Sequence, residues 1–89
     1  MLNELRSKLE IIDDKISDLL VERLEVSKLI GIEKKKSGWQ YSTDKEREKI
    51  VINNVLSHSD DEETKEALKE IYKTIINEGK KIQDRILNK

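Results

Sequence analysis

Arg23 interrupts a run of apolar residues that otherwise recurs at helical spacing: Leu2, Leu5, Leu9, Ile12, Ile16 and Leu19 precede it, and Val26 and Ile30 follow. A guanidinium in an apolar stripe is costly unless it is paired or ligated. Glu22 and Glu25 are close enough in sequence to pair with it, and a long side chain could also carry its charge out to solvent. The chemical alternative is an anion ligand, because a planar guanidinium in a dry pocket grips a carboxylate at two points.

Lys34 follows Arg23 by eleven residues. On a helix that is about three turns, so the two cations share a face roughly 16 Å apart and could bracket a small dianion. Arg6 lies on nearly the same face but roughly 25 Å from Arg23, too far to join the same small ligand within one chain. An antiparallel partner helix would change this. With a two-fold axis crossing the helix at about residue 17, the partner's Arg6 would fall between Arg23 and Lys34. The bland alternative is a set of solvated charges, the common case in a chain that is 42% charged.

Further candidates sit downstream. Arg47 and Glu48 open a short apolar segment, and Glu48 shares a helical face with Ile52 and Leu56, so it borders a buried surface or is an ordinary first-turn acid. Gly79 interrupts an apolar stripe near the C-terminus, where glycine costs about 1 kcal/mol relative to alanine. Gln83 follows one turn later on the same face. Gly79 serves either close helix packing or room for a ligand, and Gln83 is either exposed or a hydrogen-bond donor to that ligand.

These side chains require long helices to hold them, and the composition provides for that. The 89 residues, pointing to one domain over 1–89, include no proline and three glycines. The seam of three- and four-residue steps predicts a first helix over 2 to about 36, with Gly38 as its C-terminal stop. Thr43 and Glu46 have capping-box spacing and predict the start of a second helix; Ser59 and Glu62 do the same for a third, over about 62–87. The expected fold is all-α, with a first helix of roughly 50 Å. A compact chain of this size is only about 30 Å across. Much of the seam would protrude from a monomer, so a homodimer is expected to cover it.

Composition also removes several classes of function. With 18 basic and 19 acidic residues the net charge is −1, without the basic surplus that nucleic-acid binding needs. There is no cysteine and one histidine, His58, which argues against disulfides, thiolate chemistry and a zinc site. No apolar stretch spans a membrane and no signal peptide opens the chain, so a cytoplasmic protein is expected.

The run Leu5-Arg6, Ile12-Asp13, Leu19 to Arg23, Ile30-Gly31, Lys34 and Asp44 to Glu48 resembles the all-α chorismate mutases across nearly the whole chain. That family is an intertwined dimer of three-helix chains whose sites draw residues from both chains, and it converts chorismate to prephenate by a Claisen rearrangement, with no cofactor. The resemblance implies that Arg23, and Arg6 from the partner chain, hold the two substrate carboxylates. It implies that Lys34 touches a carboxylate and the ether oxygen, and that Gln83 donates to the ether oxygen. Glu48 would bind the substrate hydroxyl near the backbone of Asp44, and Arg47 would order that corner. Two positions depart from the pattern. Gly79 stands where the family often has a serine, which predicts a missing hydroxyl contact, and Lys45 stands where proline commonly follows the aspartate. Isochorismate pyruvate lyase, which shares the fold and charge set, and a noncatalytic helical dimer binding chorismate or prephenate are the alternatives.

Overall fold

A computed structural model describes residues 1–89 as three helices and no strands: α1 (Leu2–Lys36), α2 (Lys45–Leu56) and α3 (Glu62–Leu87). The thirty-five residues of α1 set the longest dimension of the molecule, 54 Å against 25 and 13 Å for the others. The all-α architecture with a very long first helix is as the periodicity predicts. No helix is long and apolar enough to cross a membrane.

Each helix ends for a local chemical reason. Gly38 adopts φ +83°, the left-handed conformation that L side chains avoid. That turn directs the Gly38 N–H to the Lys35 carbonyl and the Trp39 N–H to the Lys34 carbonyl, at 3.1 and 3.0 Å, which satisfies the last turn of α1. The N-terminal caps differ from the capping-box expectation. Asp44, not Thr43, caps α2, its carboxylate accepting from the Arg47 N–H at 3.2 Å. Asp61, not Ser59, caps α3, accepting from both the N–H and the hydroxyl of Thr64 at 2.9 and 2.7 Å. In each case an aspartate stands immediately before the helix. A carboxylate there outcompetes the hydroxyl, because it accepts more strongly and suits the positive end of the helix dipole. The hydroxyl of Ser59 instead accepts from the Asp61 N–H and shapes the turn.

α3 is the central element: it packs against α1 on one side and α2 on the other, while α1 and α2 make no contact with each other. Near their C-terminal ends α1 and α3 run in the same direction. Gly31 meets Gln83, and Lys35 reaches the carbonyl oxygens of Ile86 and Lys89 at 3.2 and 2.9 Å. That ammonium offsets the negative end of α3. Close approach here depends on small residues. A β-carbon at Gly31 would lie 3.2 Å from the Cα of Gln83, and one at Gly79 would lie 2.9 Å from the Ser27 hydroxyl.

Little apolar surface is buried within the chain. Val55 is the only buried large apolar side chain, and the whole face from Leu2 to Leu19 is exposed, including Leu5, Leu9, Ile12 and Ile16. The apolar seam of α1 is therefore not the face that meets α3. Ser27 and Gly31 hold that position, and the seam runs beside it into solvent.

Candidate functional site

Because α1 and α2 flank α3 without touching, a cleft opens between them, with a volume of about 390 Å³. That lies within the range of small-molecule sites. Arg23, Ser27, Ile30 and Lys34 line it from α1, and they follow one another at steps of four, three and four along a single helical face. Asp44, Arg47, Glu48 and Val51 line it from the start of α2, and Ile76, Gly79, Lys80 and Gln83 from α3. Seven of the eight sequence-predicted site residues thus meet in one cleft. Arg6 does not. It is exposed on the same unbroken helix, roughly 25 Å from Arg23.

Arg23 is half-buried and has no carboxylate partner: neither Glu22 nor Glu25 pairs with it, although five other lysine–carboxylate pairs form in the chain. Its guanidinium instead lies 5.7 Å from the centre of the Tyr72 ring. Such stacking orients the cation without consuming its hydrogen-bond donors. Its five N–H donors remain available to an anion.

Lys34 is the best-anchored cation of the cleft. Its ammonium donates to the Ser42 carbonyl at 2.7 Å and to Gln83 Oε1 at 2.9 Å, and it lies 4.8 Å from the centre of the Trp39 ring. Two of three ammonium donors are thereby used and one remains. An ammonium can only donate, so it must face the Gln83 amide oxygen. The amide nitrogen of Gln83 is then left as a hydrogen-bond donor. Gln83 is 7% exposed, which removes the alternative of a solvent-facing side chain: the glycine at position 31 lets α3 approach α1 closely enough to enclose it.

The loop between α1 and α2 is fixed to this pair through Ser42, which is 2% exposed. Its carbonyl accepts from Lys34, and its N–H donates to Asp84 Oδ1 at 3.0 Å. The Asp84 carboxyl is held below the usual carboxylate range, by the Ser42 side chain first, then by its amide and the charges of Lys80 and Lys34, against an opposing effect of burial. The Ser42 hydroxyl is close enough to favour the charge but lies outside hydrogen-bond geometry and has no other partner. A lowered carboxyl pKa stabilises the fold above the ordinary value of 3.8, and that contribution disappears as the pH falls through the lowered value. Asp84→Asn should therefore lower the thermal midpoint at pH 6, with the gap to the wild type narrowing as the pH falls below about 3.8. A gap independent of pH, measured by circular dichroism melts between pH 2.5 and 6, would contradict this linkage.

Glu48 is half-buried and its Oε1 accepts from Lys80 at 3.0 Å. The first-turn acid therefore borders the cleft, with one carboxylate oxygen committed to Lys80. Lys80 was not foreseen from the sequence, and neither were Ser27 and Ser42. Ser27 had a legible signal, since it lies one turn beyond Arg23 on the face leading to Lys34. Lys80 and Ser42 had none, because only tertiary packing brings them here. Gly79 lines the cleft and also permits the close passage of α1.

Four cationic side chains and two carboxylates line the cleft, a positive surplus in a chain whose net charge is −1. Such a concave site favours a small polyanion. Searches of the curated proteins and of the solved structures give no match. The sequence pattern of chorismate mutase type II matches residues 5–84, nearly the whole chain, from the first turn of α1 to the last turns of α3, and the chain belongs to that family.

Proposed function

We propose that this protein is a chorismate mutase, converting chorismate to prephenate, and that it acts as a homodimer. The observation that carries the proposal is the unpaired, half-buried Arg23 guanidinium in the same cleft as the Lys34–Gln83 pair. A Claisen rearrangement breaks one C–O bond and forms one C–C bond within a single molecule. It needs no nucleophile and no proton transfer. The protein must hold the reactive conformer and stabilise negative charge growing on the ether oxygen. The remaining Lys34 proton and the Gln83 amide N–H are donors suited to that oxygen, and both are fixed in advance by their mutual hydrogen bond. Arg23 takes one substrate carboxylate. Glu48 accepts from the substrate hydroxyl through the oxygen that Lys80 leaves free, beside the backbone of Asp44, and Arg47 orders this corner.

Arg6 completes the site from the partner. The exposed apolar seam of α1 supports this: an antiparallel copy laid along it covers Leu5, Leu9, Ile12 and Ile16 and delivers the partner's Arg6 between Arg23 and Lys34. That arginine holds the second carboxylate by a two-point grip, beside the single contact that Lys34 can make to a carboxylate.

Supplying the purified protein with chorismate and, separately, isochorismate tests the assignment. Prephenate from chorismate is the expected product. Pyruvate released from isochorismate alone would make the protein a lyase of the same fold, and binding without turnover of either would make it a noncatalytic module.

A further inference from the structure

Gly79 and Ser27 face each other where α3 passes α1. A β-carbon at position 79 would lie 2.9 Å from the Ser27 hydroxyl oxygen and 3.6 Å from Arg23 Nη1. The hydroxyl and the guanidinium therefore border one small volume that the absent side chain leaves open. Ser27 is only 6% exposed and lines the cleft. Its hydroxyl makes no hydrogen bond within the chain, unlike that of Ser7, which bonds back to the Asn3 carbonyl in the way usual for serine in a helix. Nor is it sealed away from the cleft: the one fully buried side-chain polar atom without a partner is the Ser42 hydroxyl. A largely buried donor that opens only into a cationic cleft is suited to an anionic ligand.

We propose that the Ser27 hydroxyl donates a hydrogen bond to a carboxylate oxygen of the bound substrate, next to the Arg23 guanidinium. This rests on the chorismate mutase reading of the cleft and sharpens it. One carboxylate is held by an O–H and N–H donors that reach it from successive turns of α1. The glycine at 79 then marks a displaced contact instead of a lost one, because the hydroxyl comes from α1 and glycine is what leaves room for it. The two positions are coupled, since a β-carbon at 79 obliges the Ser27 hydroxyl to turn from its present position.

The test compares wild type, Ser27→Ala, Gly79→Ser and the double variant Ser27→Ala/Gly79→Ser for prephenate formation, with circular dichroism melts to verify folding. Loss of one hydrogen bond to a charged group should lower kcat/KM about 10- to 100-fold in Ser27→Ala. Most of that should appear as a raised KM, because a carboxylate is held alike in substrate and transition state. Gly79→Ser alone should also lose activity, through crowding. The double variant returns the hydroxyl from the opposite helix and should recover to within about fivefold of wild type. A Ser27→Ala enzyme with wild-type KM, or a double variant no better than Ser27→Ala, overturns the proposal while leaving the mutase reading intact. A wild-type protein that makes no prephenate defeats both.

Discussion

Arg23→Leu should remain folded, melt no lower than wild type, and form prephenate about 10²- to 10³-fold more slowly. Both halves of this result follow from the same feature. The guanidinium is half-buried beside exposed apolar neighbours and has no carboxylate partner, so its removal breaks no ion pair and leaves no charge stranded. Leucine also restores the apolar periodicity of α1, which favours helix pairing. Activity moves the other way, because the substrate carboxylate loses its fixed counter-charge. Removing one partner of a hydrogen-bonded charge pair typically costs about 2–5 kcal/mol, which is read here in kcat/KM. Arg23→Lys separates charge from shape. It keeps the charge but loses the two-point grip, and should fall between the two. An Arg23→Leu protein that is both stabilised and fully active would mean that Arg23 is only a seam residue. The thermal midpoint and kcat/KM, measured on the same preparation, decide between these outcomes.

Chains carrying Arg6→Ala and chains carrying Arg23→Ala should each be inactive alone and should regain activity when mixed and allowed to exchange. On one unbroken helix the two arginines are roughly 25 Å apart, so they cannot grip one small dicarboxylate within a chain. In the proposed two-fold dimer each site would take Arg23 from one protomer and Arg6 from its partner. A heterodimer of the two variants therefore contains one site with both arginines and one with neither. Random exchange of equal amounts should restore about a quarter of the wild-type sites. Verified heterodimers without activity would remove Arg6 from the site or place it in cis.

The helix spans could be read from the sequence because they depend on local chemistry: the 3.6-residue periodicity, the absence of proline and the left-handed Gly38. The caps were misread by one or two residues because serine or threonine spacing was weighed without the aspartates that follow it. Part of the cleft's lining was also legible, since Arg23 and Lys34 share one helix and their spacing fixes their common face. What was not legible depends on which small residue faces which across two helices. Gly31 encloses Gln83, and Gly79 admits Ser27, but neither pairing can be read from periodicity. The exposed seam is an intermediate case. Its length signalled that one chain cannot cover it, and its apolar residues do remain exposed in the single chain.

On the proposed function, a cleft built from positioned cations and one amide rearranges a single dicarboxylate with no nucleophile. Following chorismate by proton NMR in the presence of the purified protein tests this directly. The expected result is stoichiometric conversion to prephenate at a rate proportional to protein concentration, lost in the folded Arg23→Leu variant. Chorismate that persists at its uncatalysed rate with the wild-type protein, or converts equally fast with Arg23→Leu, would contradict it.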